Sequence, residues 1–424
     1  MNSITLDEYL NSFVQTTDYP SLDGTKYLLN KLGNPDKKIK FIHIAGTNGK
    51  GSIAEMLNQT LINSNYKTGK FISPHLICAN ESICINNIQI DNKDIPYYIN
   101  LFDDIQNDFK KEYNRTFTRF EIITALAIDY FYKNNVDIAI LEVGLGGLYD
   151  CTNVITPILS CFGSISFDHT QILGNTLEEI TIQKGGIIKN NSNSIIFNQE
   201  ATKYIQNICK EKNNNLIIIN EDDISNYHFD NMYQYFTYKR LEYKLNLKGK
   251  KQIENASVVL NAFDILNKND FNITYDTIYN SLSNITHPGR FETIQNTPLV
   301  IFDGAHNENA IYNLISSINS LYKDNNKTFI ISIIKTKDYK QILNLLYSKF
   351  PNSTFILTSG NNESKFFSNK ILYDYMISLS SNIYIKKDEL YNLKNIINKD
   401  NINFIIGSFY VYNTVINLLK DYNK

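Results

Sequence analysis

Cysteine is scarce in this chain, and the few cysteines present do not group. Cys78, Cys84, Cys151, Cys161 and Cys209 make an odd count with no close ligand-type pair, which excludes a zinc knuckle or a disulfide framework and suits reduced cytosolic thiols. Cys78 and Cys84 read as packing residues of a strand or loop. An excess of one charge is also missing. Lys and Arg number 41 against 43 Asp and Glu, for a formal net charge of -2 and a pI near 6.3, so neither nucleic acid nor an anionic membrane is an expected partner. No apolar run is long enough to span a bilayer. The opening residues, MNSITLDEYLNSF, carry acids and lack the basic start and apolar stretch of a signal peptide. A soluble, cytoplasmic protein that works on small molecules is the expectation.

Apolar residues make up 43% of 424 positions, enough for two or three cores rather than one. From Lys40 onward short apolar strands alternate with helical patterns. KFIHIAG reads as a strand, and SIAEMLNQTLINS places Ile53, Met56, Leu57 and Leu61 on one helical face. FEIITALAIDYFYKNN reads as a helix that leads into VDIAILEVG, a run typical of a strand buried on both faces. PILSCFGSISFDH, SNSIIFNQ and NLIIIN continue the alternation. The predicted fold class is α/β: a mostly parallel sheet domain over residues 1–286, whose Gly-rich segment at 43–52 gives the reading of a P-loop ATPase domain, then a smaller Rossmann-like α/β domain over residues 287–424. Residues 233–248, YQYFTYKRLEYKLNLK, alternate without a helix and predict an antiparallel hairpin at the sheet edge.

Several motifs fall where strands should end. HIAGTNGKGS, residues 43–52, resembles a phosphate-binding loop but departs from its usual spacing, with Ile44 at the first glycine position and Gly51 between Lys50 and Ser52. Its glycines let backbone N–H groups approach phosphate oxygens at the positive start of a helix, and Lys50 adds a point charge. DIAILEVGLGG puts Glu142 at the carboxyl end of a strand, where open α/β sheets bind ligands and a carboxylate can hold Mg²⁺. SFDHTQILG puts His169 after another strand, and IFDGAHN does the same for Asp303 and His306. A single histidine is more often packing than ligand, and Arg290 serves equally as a phosphate clamp or as half of a structural ion pair.

Together these stretches resemble the Mur ligase superfamily, most closely the folylpolyglutamate synthase and dihydrofolate synthase family. The matching pieces are LGNP (32–35), HIAGTNGKGS, FISPHL (71–76), FE (120–121), LEVGLGG, DHTQILGNTLEEI, QKGGIIK, PGRFE (288–292), FDGAHN and GSFY (407–410), and they span nearly the whole chain. The resemblance implies an ATP-dependent amide ligase: ATP phosphorylates an acceptor carboxylate, and the amine of L-glutamate attacks the acyl phosphate. The acceptor is a (tetrahydro)folate polyglutamate, with dihydropteroate as a second acceptor. By the same resemblance Asn48, Gly49, Lys50, Gly51 and Ser52 hold the phosphates, and Asn255, Arg290, Asp303 and His306 complete the ATP site. Ser73, Glu142 and His169 hold Mg²⁺. Lys184 matches a lysine that the superfamily carbamylates, and Lys50, Lys184 and His169 form the catalytic set. Thr118, Arg119, Phe120, Glu121, Tyr149, Asp150 and Cys151 meet the acceptor, with Phe120 stacking on the pterin ring and Asp150 accepting from it. A monomer is expected.

Departures fall on the acceptor side. Ser82 and Leu148 stand where the family pattern has Arg, Cys151 where it has Ala, Gly24 where a basic residue is expected, and Thr336 in place of Asp. Restoring arginine at 82 or 148 is expected to improve acceptor affinity unless nearby lysines such as Lys26 supply the charge. Two alternatives stay open: another amino-acid ligase of the superfamily, and a non-catalytic ATP-binding module.

Overall fold

The apolar runs Phe41–Ala45 and Ile138–Glu142 become strands buried along their whole length, and such strands need cover on both faces. The structure, a computed structural model, describes residues 4–14, 21–230, 232–360, 362, 364–379 and 385–420. Its first sheet has eight strands in the order β4-β3-β2-β5-β1-β6-β7-β8. These are β1 Phe41–Ala45, β2 Thr68–Phe71, β3 Ile83–Ile85, β4 Ile88–Gln89, β5 Ile138–Glu142, β6 Leu159–Phe162, β7 Asn193–Phe197 and β8 Asn215–Ile219. The run from β2 to β8 is parallel, while β3 and β4 add an antiparallel edge. From β1 the chain crosses to β2 on one side, and from neighbouring β6 it crosses to β7 on the other. That reversal puts the topological switch point at the carboxyl ends of β1 and β6, the usual ligand position of such sheets.

The alternating stretch at 233–248 does not edge this sheet. β10 Tyr233–Tyr238 and β11 Leu241–Leu245 join β9 Ile224–Asp230 in a separate three-stranded sheet, ordered β11-β10-β9. Lys239 and Arg240 both take positive φ, as a tight two-residue hairpin turn requires. The β9 stretch, ISNYHFD, is mostly exposed and carries no apolar alternation, so nothing in its sequence announced the third strand.

The second α/β sheet has six strands, β12-β13-β17-β14-β15-β16. They are β12 Glu292–Asn296, β13 Leu299–Asp303, β14 Lys327–Ile331, β15 Thr354–Thr358, β16 Ile385–Asp388 and β17 Ile402–Ile406. All neighbours are parallel except β12 on β13. Phe329 anchors its core, stacked on Phe355 at 5.3 Å and on Phe404 at 5.5 Å between ring centroids. The chain divides into two compact units: Met1–Tyr227 with Phe236–Lys244 and Ile253–Ile285, and His228–Tyr235 with Leu245–Gln252 and Thr286–Lys424. Among the described residues no helix is long and apolar enough to cross a membrane.

Candidate active site

The loop after β1 is locked to the segment after β6. Thr47 N donates to Ser164 O at 2.6 Å, Ser164 N returns a bond to Asn48 O at 3.1 Å, and the Thr47 hydroxyl donates to Ser166 O at 2.9 Å. With those groups engaged, the helix Lys50–Asn63 begins at Lys50, and its first-turn N–H groups have no acceptor inside the helix. Gly49 sits just before it at φ 90°, and a Cβ there would lie 2.6 Å from Asn255 Oδ1. Asn255 therefore touches the phosphate loop from the buried helix Lys250–Asn267. It belongs to the first unit.

Three charged side chains meet around this loop. Lys50 Nζ lies 3.8 Å from Glu142 Oε1 and donates to Gly46 O at 3.2 Å. Glu142 is 5% exposed at the end of β5. Lys184, 4% exposed, donates from Nζ to the same Gly46 carbonyl at 3.1 Å. Burial, reinforced by Lys50, pushes the Lys184 pKa down to about 7, and Asp168 opposes this only in part. The unprotonated amine is thus accessible near neutral pH. Its backbone is fixed by close approach: a Cβ on Gly147 would lie 2.7 Å from Lys184 O, so the LEVGLGG and QKGGIIK turns pack main chain against main chain. Ser73 follows the end of β2 by two residues, and His169 follows β6 in a left-handed conformation with its ring exposed beside Asp168. Both lie on loops at the same sheet edge as Glu142 and Lys50.

The expected acceptor residues divide. Phe120 packs its ring against Gly144, where a Cβ would lie 2.7 Å away, and 5.9 Å from the Phe71 ring. Asp150 is buried, accepting at Oδ2 from Leu145 N at 2.9 Å and at Oδ1 from Thr152 N at 3.0 Å. Burial raises its pKa while those bonds hold it down. Tyr149 is 51% exposed, and burial pushes the Cys151 thiol far up, which disfavours its thiolate. Thr118 and Glu121 are differently engaged. They form the capping box of the helix Arg119–Lys133, and Glu121 also takes a bidentate ion pair from Arg115 at 2.8 and 2.9 Å. Arg119 reaches Asn11 at 3.0 Å and Asp7 at 3.7 Å in the N-terminal segment. Gly24 is required to be small, since a Cβ would lie 2.0 Å from Glu121 Oε1.

In the second unit, Asp303 ends β13 and accepts from Phe291 N and Ala305 N, each at 2.8 Å. Burial raises its pKa, and the Arg290 charge lowers it. Arg290 lies 4.3 Å from the Phe409 ring centroid, and His306 Nδ1–H donates to Gly304 O at 2.7 Å.

Residues 44–263, more than half of the chain, match the family model for the Mur ligase middle domain. A dihydrofolate synthase/folylpolyglutamate synthase of Buchnera aphidicola subsp. Baizongia pistaciae is 31% identical over 415 residues, 95% of this chain and 91% of its own. This chain belongs to that family. The crystal structure of a folylpolyglutamate synthase from Thermotoga maritima superposes with a TM-score of 0.82 at 29% identity, covering 97% of this chain and 95% of that one. A Mycobacterium tuberculosis folylpolyglutamate synthase, solved with ADP and AMPPCP, shares the fold with a TM-score of 0.85 at 23% identity, covering 96% of each chain.

The chain is thus an ATP-dependent ligase of a glutamate-adding family. Sequence reasoning missed Arg115, whose pairing with Glu121 spans six positions from a loop and leaves no periodic trace. It also missed the clamp of Thr47 on Ser164, which is made by backbone groups. Phe409 was visible in GSFY, but its stack under Arg290 is set by tertiary folding.

Proposed function

We propose that the protein adds L-glutamate to (tetrahydro)folate polyglutamates through an acyl phosphate and glutamylates dihydropteroate in the same site. The carrying observation is the cluster of Lys50, Glu142 and buried Lys184 around one phosphate-type loop, in a chain of this family. In the first step an acceptor carboxylate oxygen attacks the γ-phosphorus of ATP and ADP leaves. Lys50 and the first-turn N–H groups meet the negative charge that develops on the transferring phosphoryl oxygens. In the second, the amine of glutamate attacks the acyl carbon, phosphate leaves, and the amine proton passes to solvent. Phosphate replaces oxide as leaving group, which is why the carboxylate must be activated.

Lys184 has the environment that carbamate formation needs. Its unprotonated Nζ forms an N–C bond to CO₂ and releases a proton, turning a costly buried cation into an anion beside Lys50. Glu142 and Ser73 offer hard oxygen donors, which suit Mg²⁺, and the exposed imidazole of His169 is the third candidate ligand. Among the described residues no three His, Cys, Asp or Glu form a ready-made cage, which fits a cation that keeps waters and substrate phosphates as ligands. When bound, Mg²⁺ supplies charge neutralisation at the phosphates. We assign residues 1–286 to ATP and acceptor binding and 287–424, with Arg290, Asp303 and His306, to the glutamate-ligase domain, acting as a monomer in the cytoplasm.

The deciding experiment incubates purified protein with ATP, Mg²⁺, L-glutamate and, separately, dihydropteroate or tetrahydrofolate, reading phosphate release and product mass. A mass gain of one glutamyl residue is expected with each acceptor; no gain with either overturns the reading.

A further inference from the structure

His43 sits in the middle of β1, the strand that feeds the phosphate loop, and none of its surface reaches solvent. The rest of that strand, Phe41, Ile42, Ile44 and Ala45, is apolar, so an imidazole there needs a reason. Burial, reinforced by the Lys189 charge, pushes its pKa down to about 3, and the neutral ring carries a single N–H. Nε2 lies 2.8 Å from Thr152 Oγ1. Nδ1 is buried and has no hydrogen-bond partner among the described residues. The Thr152 hydroxyl in turn bonds to Asp150 Oδ1, and Thr152 N donates to the same oxygen at 3.0 Å. Three buried side chains thus form a chain from the phosphate-loop strand to Asp150, a residue expected to meet the acceptor.

The unpartnered nitrogen decides which way the hydrogens point. A hydroxyl has one hydrogen to give. If Thr152 gave it to His43, Nδ1 would hold a buried N–H with nothing to receive it, and Asp150 Oδ1 would have to be protonated to face the hydroxyl oxygen. If His43 donates from Nε2, Nδ1 keeps only an unused lone pair, and Thr152 gives its hydrogen to the carboxylate. Buried N–H groups without an acceptor are rarer than unused acceptor lone pairs, and an ionised carboxylate is the stronger acceptor. The chain therefore runs from His43 through Thr152 to Asp150. It also aims the carboxylate. With Oδ1 turned to Thr152, Oδ2 accepts from Leu145 N at 2.9 Å and lies over Gly144, where a Cβ would be 3.2 Å from Oδ2 and 2.7 Å from the Phe120 ring. The two groups expected to meet the pterin ring flank one glycine, and His43 stands behind the one that accepts.

Resting on the function proposed above, we infer that His43 is a positioning residue for the acceptor: by donating to Thr152 it commits the Thr152 hydroxyl to Asp150 and holds that carboxylate beside Phe120 as an acceptor for the pterin ring. The first measurement is nitrogen-15 NMR of the histidine side chains of the wild type, with the signal absent from His43→Gln giving the assignment. A hydrogen on Nε2 is expected; a hydrogen on Nδ1 overturns the inference. The second is steady-state kinetics of Thr152→Val, Thr152→Ser, His43→Met and His43→Gln with dihydropteroate and with tetrahydrofolate, which share the pterin. Thr152→Val and His43→Met break the chain and are expected to raise both acceptor KM values about tenfold while the KM for ATP stays within about twofold. Thr152→Ser and His43→Gln keep a hydroxyl and an N–H donor, and should recover most of that loss. A histidine that only packs β1 would shift ATP and the acceptors together, since the same strand carries the phosphate loop. Equal shifts, no shift, or no recovery by either conservative variant therefore overturn the inference. The tautomer is read on the unaltered protein, so it decides even where a variant folds poorly. Wild type inert with both acceptors would overturn the function itself, whereas a hydrogen on Nδ1 in an active enzyme would overturn the positioning role alone.

Discussion

Lys184 and Lys50 converge on one carbonyl: both side chains donate to Gly46 O, at 3.1 and 3.2 Å. Burial disfavours the Lys184 cation, and the Lys50 charge beside it adds to the effect. The Lys184 pKa falls to about 7, so the neutral amine that can take up CO₂ is accessible near neutral pH and is depleted as pH falls below it. Activity should fall as pH drops through 7, and added bicarbonate should restore more at pH 6.5 than at pH 8. Lys184→Ala should lose turnover, with no rescue by bicarbonate and partial rescue by acetate. A fully active Lys184→Ala would reduce the residue to packing.

The same shift makes a statement about stability. A lysine whose folded pKa lies below its unfolded value binds fewer protons when folded, so its unfavourable contribution grows as pH falls from about 10 to 7 and is constant below. In CO₂-depleted buffer Lys184→Met should therefore melt above wild type, by a margin that widens over that window. Melting curves at pH 7, 8.5 and 10 check the sign; a margin that shrinks toward pH 7 refutes it.

Lys50→Ala removes a charge from the place where phosphoryl charge develops. Losing one such interaction costs about 3 kcal/mol, roughly a hundredfold in kcat. The side chain is part-exposed on a loop-to-helix junction, so the melting temperature should move little. Turnover at the wild-type rate would remove the phosphate-loop assignment.

Glu121 is expected to matter for folding before it matters for the acceptor. Its carboxylate closes the cap of the helix Arg119–Lys133 and neutralises Arg115. Glu121→Ala opens the cap and leaves a half-buried guanidinium without its partner, at a cost of about 2 to 4 kcal/mol. Urea denaturation reads this directly, and Arg115→Ala/Glu121→Ala should be less destabilised than the sum of the single variants.

That residue also marks the limit of what the sequence discloses. The strands around the phosphate loop were legible because runs such as DIAILEVG admit no other reading, and the loop itself because glycine, lysine and serine recur between strand and helix. Thr118 and Glu121 carry the spacing of a capping box, yet a motif shared with a family reads as a binding motif until the partner is known. That partner, Arg115, is set by tertiary folding. The peripheral strands β9, β12 and β16 stayed hidden for a related reason: they are short or half-exposed, and burial, not propensity, is what writes a strand into a sequence.

The missing arginines are not equivalent, and this gives the last prediction. Gly24 has a carboxylate oxygen 2.0 Å from where a Cβ would begin, and Ser82 is 3% exposed with its carbonyl bonded to Ile72 N. An arginine at either place must displace packed structure, so the expectation that Ser82→Arg improves affinity does not fit this environment. Leu148 is half-buried on the wall of a cavity that Lys26 and Lys189 also line, with open space before it. Leu148→Arg should fold normally and restore a cation on the acceptor side. A new charged hydrogen bond of about 1.5 kcal/mol corresponds to roughly a tenfold lower KM for a glutamylated acceptor. Gly24→Arg and Ser82→Arg should instead lower the melting temperature without lowering that KM. If Leu148→Arg folds and that KM does not fall, nearby lysines such as Lys26 already supply the charge, and the loss of the arginine at 148 was compensated within the same cavity.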